Sequence, residues 1–394
     1  MTTTCRATPN QPEILPETAV PVLDLAFSLT LALLLACAPS AATAVQTAPA
    51  GHAAQHHRFV LPSYTFEDGT TLPNTVVSYA TYGRLNARRD NVILLPSSYM
   101  ADHHDNDWLI GPGLPLDTTR YFLVATELFG NGHSSSPSNT PEPHHGPRFP
   151  RASIRDNVEA VHRLLVDELH VRHLAAVIGF SMGAEQAFQW AVSYPDFSDR
   201  IVAMAGTARC WPHGRVRLEA EIAAIESDTA FRGGDYTSPP KQGIRLFGLI
   251  WAGWLTSQQW WHDELWKGPG WSPGASYESV VSYFSDSLFA AFDANDLILQ
   301  AQTWQRHDVG ATPRFKGNIE RALASIRARV LYLPVQTDLY FPVSDARAEA
   351  RYIRHVDLDP IPSVWGHVAG GGADEGARPF ITAKIAAFLK EPAR

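Results

Sequence analysis

An apolar stretch, Leu174 to Ile178, runs directly into Gly179-Phe180-Ser181-Met182-Gly183, and a helix-like stretch follows. No other feature restricts the fold so tightly. Strand, G-x-S-x-G and helix, in that order, predict a nucleophile elbow: a sharp turn that lifts a serine oxygen out of a sheet. The flanking glycines are required because side chains there would collide in so tight a turn. The helix that follows presents the positive end of its dipole to the site. An ordinary Gly-rich turn or helix cap also fits G-x-S-x-G alone, so the partners later in the chain carry weight. Read with its context, the pattern predicts an enzyme that works through a covalent ester on Ser181.

The rest of the chain supports the sheet this elbow needs. Phe59–Phe66 and Thr75–Tyr82 read as a starting antiparallel pair, with Asp68-Gly69 as the turn. Asn91–Leu95 and Tyr121–Thr126 are continuous apolar runs, as expected of strands buried on both faces. Ser153 and Asp156 form a capping-box-like helix start, with Ile154, Val158, Val161 and Leu165 on one face. Met182 to Tyr194 reads as a helix stopped by Pro195, Ile201–Ala205 and Val330–Val335 as strands, and Phe380–Leu389 as a closing helix. Strands alternating with helices predict an α/β fold with a mostly parallel central sheet flanked by helices. The interval 207–327 does not read as more sheet. It is helix-like and holds Trp211, Trp251, Trp254, Trp260, Trp261, Trp266, Trp271 and Trp304. We read it as an inserted helical cap between two parts of the core, 58–206 and 328–394. Most of its rings are expected to pack the cap itself, and some to line an apolar acyl pocket.

The leader is separate. Leu25–Ala38 is apolar but too short for a clear membrane span, and Ala42-Thr43-Ala44 resembles a cleavage site. Glu13, Glu17 and Asp24 precede it where an export signal carries positive charge. Residues 1–44 are expected to be a signal-like or anchoring leader and 45–57 a linker. The expected location is secreted or periplasmic, with a membrane-anchored or cytoplasmic protein as alternatives. Cysteine is scarce (Cys5, Cys37, Cys210), so no disulfide framework is expected. The net charge of −8 gives no basic footprint and argues against nucleic acid.

A serine hydroxyl needs a base, and the base needs an orienting acid. In an elbow fold the order is nucleophile, acid, histidine. Asp338 sits just past the strand Val330–Val335, and Asp345, the rival, reads as a cap of the following helix. His367 falls in Ser363-Val364-Trp365-Gly366-His367, after a short apolar run and before the last helix. The oxyanion needs two backbone N–H donors. Met182 is expected to supply one. Ser98, with Tyr99 as the alternative, would supply the other from the turn after Asn91–Leu95.

With these residues in place, the chain resembles the homoserine O-acetyltransferase group of the α/β-hydrolase superfamily. The matching segments are Gly179–Ala187 with Trp190-Ala191, Phe292-Asp293-Ala294-Asn295, His307-Asp308-Val309-Gly310, Thr337–Pro342 and Gly366-His367. The likeness runs from about Arg58 to the C-terminus. It implies an α/β-hydrolase core with a helical lid, and Ser181, Asp338 and His367 as triad. The chain departs from that group at Leu95-Pro96-Ser97-Ser98-Tyr99, where a His-Ala-Leu-Thr-Gly turn is usual, and at Phe180 and Ala184, where glycines are usual. These changes fall beside the reacting carbonyl. The expected activity is therefore hydrolysis of carboxylic esters, acetyl esters included, with O-acyl transfer as the alternative. A non-catalytic binding protein is disfavoured because all three triad positions are filled. The expected partner is a small-molecule ester or acyl donor, with a homodimer and N-terminal membrane association kept as candidates. No cofactor and no metal are expected: Asp102-His103-His104-Asp105-Asn106-Asp107 lacks zinc-site spacing and reads as a solvated loop.

Overall fold

Eight strands among the described residues make one sheet: β1 (Gln55–Thr65), β2 (Thr71–Tyr82), β3 (Val92–Pro96), β4 (Phe122–Thr126), β5 (Ala176–Phe180), β6 (Arg200–Met204), β7 (Arg329–Leu333) and β8 (Val356–Leu358). Their spatial order is β1-β2-β4-β3-β5-β6-β7-β8. The computed structural model describes residues 53–268 and 270–392. The leader expected over 1–44 and most of the linker lie outside the described residues. The chain divides into Met1–Thr47 and Ala48–Arg394, and the described residues all belong to the second unit.

β1 and β2 pair antiparallel, as do β2 and β4; from β4 through β3 to β8 every pairing is parallel. The central strands are the continuous apolar runs. Every residue of β3 and β6 is buried, which is why neither alternates with polar residues. One expectation needs correction. Gln55, His56 and His57, assigned to the linker, pair with Thr81, Ala80 and Tyr79. Their polar side chains hid a strand whose ladder is made by backbone.

Helix α1 (Ile154–Arg163) starts with the expected box: Ser153 Oγ accepts from Asp156 N, and the Asp156 carboxylate accepts from Ser153 N. α2 (Met182–Ser193) follows β5 with only Ser181 between them. Between β6 and β7 the chain builds α3 (Pro212–Glu226), α4 (Lys241–Leu255), α5 (Gln258–His262), α6 (Tyr277–Ser282), α7 (Ala294–Gln305) and α8 (Ile319–Ala324). α9 (Val343–Ala350) follows β7, and α10 (Arg378–Lys390) ends the described chain. The inserted helices lean on the loops at the carboxyl ends of the strands. Tyr99 Oη donates to Leu297 O at 2.8 Å, Met100 N to Gln300 Oε1 at 2.6 Å, and Ser257 Oγ to Val364 O. Trp260 packs against Trp266 and Trp271 inside the insertion, and Trp365 lies 6.3 Å from it. Trp251 and Trp304 point the other way, toward Tyr99 and Tyr340.

Candidate active site

The elbow is formed by sterics. Ser181 has φ 55° and ψ −124°, a conformation that L-residues avoid and that costs about 1–3 kcal/mol. It persists because the turn has no room to relax. A Cβ on Gly179 would meet Gly183 C at 2.1 Å, and one on Gly183 would meet Pro96 O at 2.4 Å. Ser181 N donates to Met204 O at 2.9 Å, which ties the turn to β6. Ser181 O accepts from Ala184 N and Glu185 N and so starts α2.

Asp338 lies in the turn after β7. Its Oδ1 accepts from Tyr340 N at 2.7 Å and Phe341 N at 3.2 Å. Those bonds aim the other oxygen at the histidine. His367 lies in a 3₁₀ turn, Gly366–Gly371, beyond β8. Thr337 Oγ1 joins the two loops, donating to Ser363 O at 2.9 Å and accepting from Gly366 N at 3.1 Å. His367 Nδ1 lies 2.8 Å from Asp338 Oδ2, and His367 Nε2 lies 2.9 Å from Ser181 Oγ. A carboxylate can only accept, so Nδ1 carries the proton and Nε2 accepts from the Ser181 hydroxyl. Ser181, Asp338 and His367 are 3%, 4% and 4% exposed, so bulk water does not compete for these bonds. Rings wall the imidazole: Phe180 and Tyr340 at 4.8 Å and Phe341 at 5.5 Å.

The turn after β3 abuts the elbow. Gln186 Nε2 donates to Ser97 O at 3.0 Å, and Ser97 N is taken by Thr126 O. Among the described residues no hydrogen bond is made by the backbone N–H of Ser98, Tyr99 or Met182. The N–H of Gly183 is likewise without a partner among the described residues, so these groups are among the donors left over at this corner. Ser98 Oγ donates to Asp105 Oδ2 at 2.7 Å, which pins the turn from the far side.

Two other expectations change. Asp345 lies inside the first turn of α9, where Pro342 holds the cap position; its hydrogen-bond contact is Ser344 Oγ. The His-Asp run after the turn is no solvated loop. It is a 3₁₀ helix, His103–Leu109, with His103 and Asn106 buried. His103 Nδ1 bonds Glu127 Oε1 at 2.9 Å. The buried carboxylate supplies the partner that hydropathy could not reveal. Among the described residues no group of three or more His, Cys, Asp or Glu is arranged to hold a metal ion. Cys210 is buried, and burial pushes its thiol pKa up, which leaves it unreactive.

Comparison with known proteins agrees with this fold. The model of the α/β-hydrolase fold family covers residues 91–357. An ethyl acetate hydrolase of Pseudomonas veronii is 35% identical over 340 residues, 83% of this chain and 93% of its own. A homoserine O-acetyltransferase of Symbiobacterium thermophilum is 33% identical over 341 residues, 77% of this chain and 86% of its own. The chain belongs to the homoserine O-acetyltransferase-like group of the α/β-hydrolase family. An acetylester hydrolase structure from Corynebacterium glutamicum superposes with a TM-score of 0.82 at 32% identity, covering 86% of this chain and 96% of that one. This α/β hydrolase is therefore an enzyme, an esterase or an acyltransferase.

Sequence reading missed several residues of this α/β hydrolase's site. Gln186 and Asp105 hold the turn after β3, and Tyr340 and Phe341 both bond Asp338 and flank His367. Tyr340, Phe341 and Gln186 fall inside the matching segments Thr337–Pro342 and Gly179–Ala187, but no periodicity singles them out as neighbours of the site. Glu185, one turn into α2, is fully buried, and among the described residues neither of its carboxylate oxygens finds a partner. Burial holds its carboxyl pKa well above the ordinary range, with Glu349 adding to the effect.

Proposed function

We propose that this protein is a serine esterase that hydrolyses small carboxylic esters, acetyl esters among them, through an acyl-enzyme on Ser181. One observation carries the reading: a continuous hydrogen-bonded line from Ser181 Oγ through His367 to Asp338, with links of 2.9 and 2.8 Å, buried at a strained elbow. In this reading His367 Nε2 takes the Ser181 proton as Oγ attacks the ester carbonyl. Asp338 keeps the imidazole in the required tautomer and stabilises the imidazolium. The developing oxyanion is met by the N–H of Met182 and that of Ser98, with Tyr99 as the alternative second donor. Each such donor is worth about 3–4 kcal/mol of barrier. His367 then protonates the leaving alcohol, and a water that it deprotonates clears the acyl group. The 207–327 insertion serves as the cap over this chemistry.

The relatives support ester hydrolysis through the P. veronii ethyl acetate hydrolase and the C. glutamicum acetylester hydrolase. The homoserine O-acetyltransferase relative supports a second outcome of the same acyl-enzyme, in which an alcohol replaces water as acceptor. A fluorophosphonate probe and p-nitrophenyl acetate test both. The expected result is stoichiometric labelling of Ser181, p-nitrophenol release, and loss of both in Ser181→Ala. Labelling that persists in Ser181→Ala rejects the site. Absence of labelling in the wild-type enzyme rejects the mechanism. Preferential acetylation of an added alcohol over release of acetate assigns the transferase outcome.

A further inference from the structure

The cap buries a cation beside the catalytic loops. Arg217 and Glu221, one turn apart on α3, have side chains 1% and 0% exposed. Arg217 Nη1 donates to both Glu221 oxygens, at 2.7 and 2.9 Å. Among the described residues Nε and Nη2 find no acceptor. Aromatic faces surround them instead. The guanidinium carbon lies 3.9 Å from the Tyr340 ring centroid, 4.4 Å from Trp304 and 5.4 Å from Trp251.

Those rings are not bystanders. Tyr340 N donates to Asp338, and the Tyr340 ring lies 4.8 Å from the His367 ring. Trp304 stacks on Phe341 at 5.1 Å, and Phe341 is the other residue that both bonds Asp338 and flanks His367. Of the rings that flank the imidazole, Tyr340 is thus held by the guanidinium directly and Phe341 through Trp304.

Packing alone gives a poor reason for this arrangement. A buried ion pair with unsatisfied N–H groups is usually no more stable than apolar side chains of the same volume. What a planar cation adds is orientation, because it stacks on ring faces and resists tilting of the rings. We infer that Arg217, held by Glu221, is a positioning residue: it clamps Tyr340 and Trp304 and through them sets His367 and the Asp338 carboxylate for proton transfer. The inference rests on the reading of Ser181, His367 and Asp338 given above.

The test uses the full-length enzyme and the double variant R217M/E221Q, which removes the cation without stranding a buried carboxylate. The expected result is a kcat for p-nitrophenyl acetate about tenfold lower, since small misplacements at a reacting centre cost that much or more. KM stays within about twofold, and fluorophosphonate labelling of Ser181 slows by the same factor as kcat. Arg217→Lys keeps the charge but not the planar stack and does not restore kcat. Tyr340→Leu, with Arg217 intact, gives the same loss. Combining it with R217M/E221Q adds nothing, because the residues act as one unit. Wild-type kcat and labelling rate in R217M/E221Q overturn the inference, as do additive losses in the combined variant. Should R217M/E221Q fail to fold, Tyr340→Leu decides alone, and wild-type kcat there overturns it. Failure of the wild-type enzyme to label at Ser181 sinks the proposed function instead, before any variant is compared.

Discussion

At the scale of single residues, function is carried by groups whose neighbours leave them one choice. Ser181 keeps its positive φ in a turn that closes because Gly179, Gly183 and the neighbouring Gly206 carry no side chain. Gly183→Ala drives a methyl to 2.4 Å from Pro96 O. The expected result is a loss of more than about 3 kcal/mol in urea unfolding, or no folded protein. Asp338→Asn should keep the fold but present the wrong donor to His367 Nδ1. We expect kcat to drop about 10⁴-fold with little change in melting temperature; an activity within about tenfold of wild type would remove Asp338 from its proposed role. Ser181, Asp338 and His367, which the structure brings into hydrogen-bond contact, were legible one by one, because each sits in a short motif with a fixed relation to a strand end. The choice between Ser98 and Tyr99 was not legible. It depends on which N–H the turn leaves unpaired, and in the structure both are.

At the scale of elements, boundaries slipped by one to four residues, most at the starts of β1 and β2, while the order of the strands held. β7 spans Arg329–Leu333 where the apolar run suggested Val330–Val335. The shift arises because a strand ends where its ladder ends, not where its hydrophobicity does. α1 tests the local rules. Ser153→Ala removes one half of its capping box, and the urea midpoint should report about 1 kcal/mol of destabilisation. An unchanged midpoint would mean that tertiary contacts, such as those Asp156 makes with Glu67 N and Tyr64 Oη, fix the helix start without the cap. The His103–Leu109 turn was misread for a related reason. Its partner, Glu127, is far along the chain, and no local pattern announces a buried pair.

At the scale of the whole molecule, buried carboxyls set the pH response. Burial raises the Asp156 pKa from 3.8 to about 6, Asp296 from 3.8 to about 7, and Glu349 from 4.5 to about 7. A raised pKa in the folded state means that folding takes up protons. Stability from these groups is full below their unfolded values and is lost as pH rises through the folded ones. His307 works oppositely: burial lowers it from 6.5 to about 3, so its contribution is lost as pH falls below 6.5. Above about pH 6.5 the His307 contribution nears completion, while the carboxyls with folded values near 7 are still losing their protons. The free energy of urea unfolding should therefore fall between about pH 6.5 and 8, and less steeply in Glu349→Gln. A flat or rising profile in the wild-type protein would mean that these carboxyls do not hold their protons in the fold.

The amino-acid sequence by itself determined the sheet, the elbow and the order of serine, aspartate and histidine. Those follow from short-range rules: apolar runs, glycines where Cβ atoms cannot fit, and polar residues just past strand ends. Only the tertiary structure decided how near those three side chains come, which rings enclose the imidazole, and that a cation from the cap stands behind them. The two hydrogen bonds of His367 alone join residues 29 and 186 positions apart, and the chemistry of a distant partner leaves no trace in the local pattern of either segment.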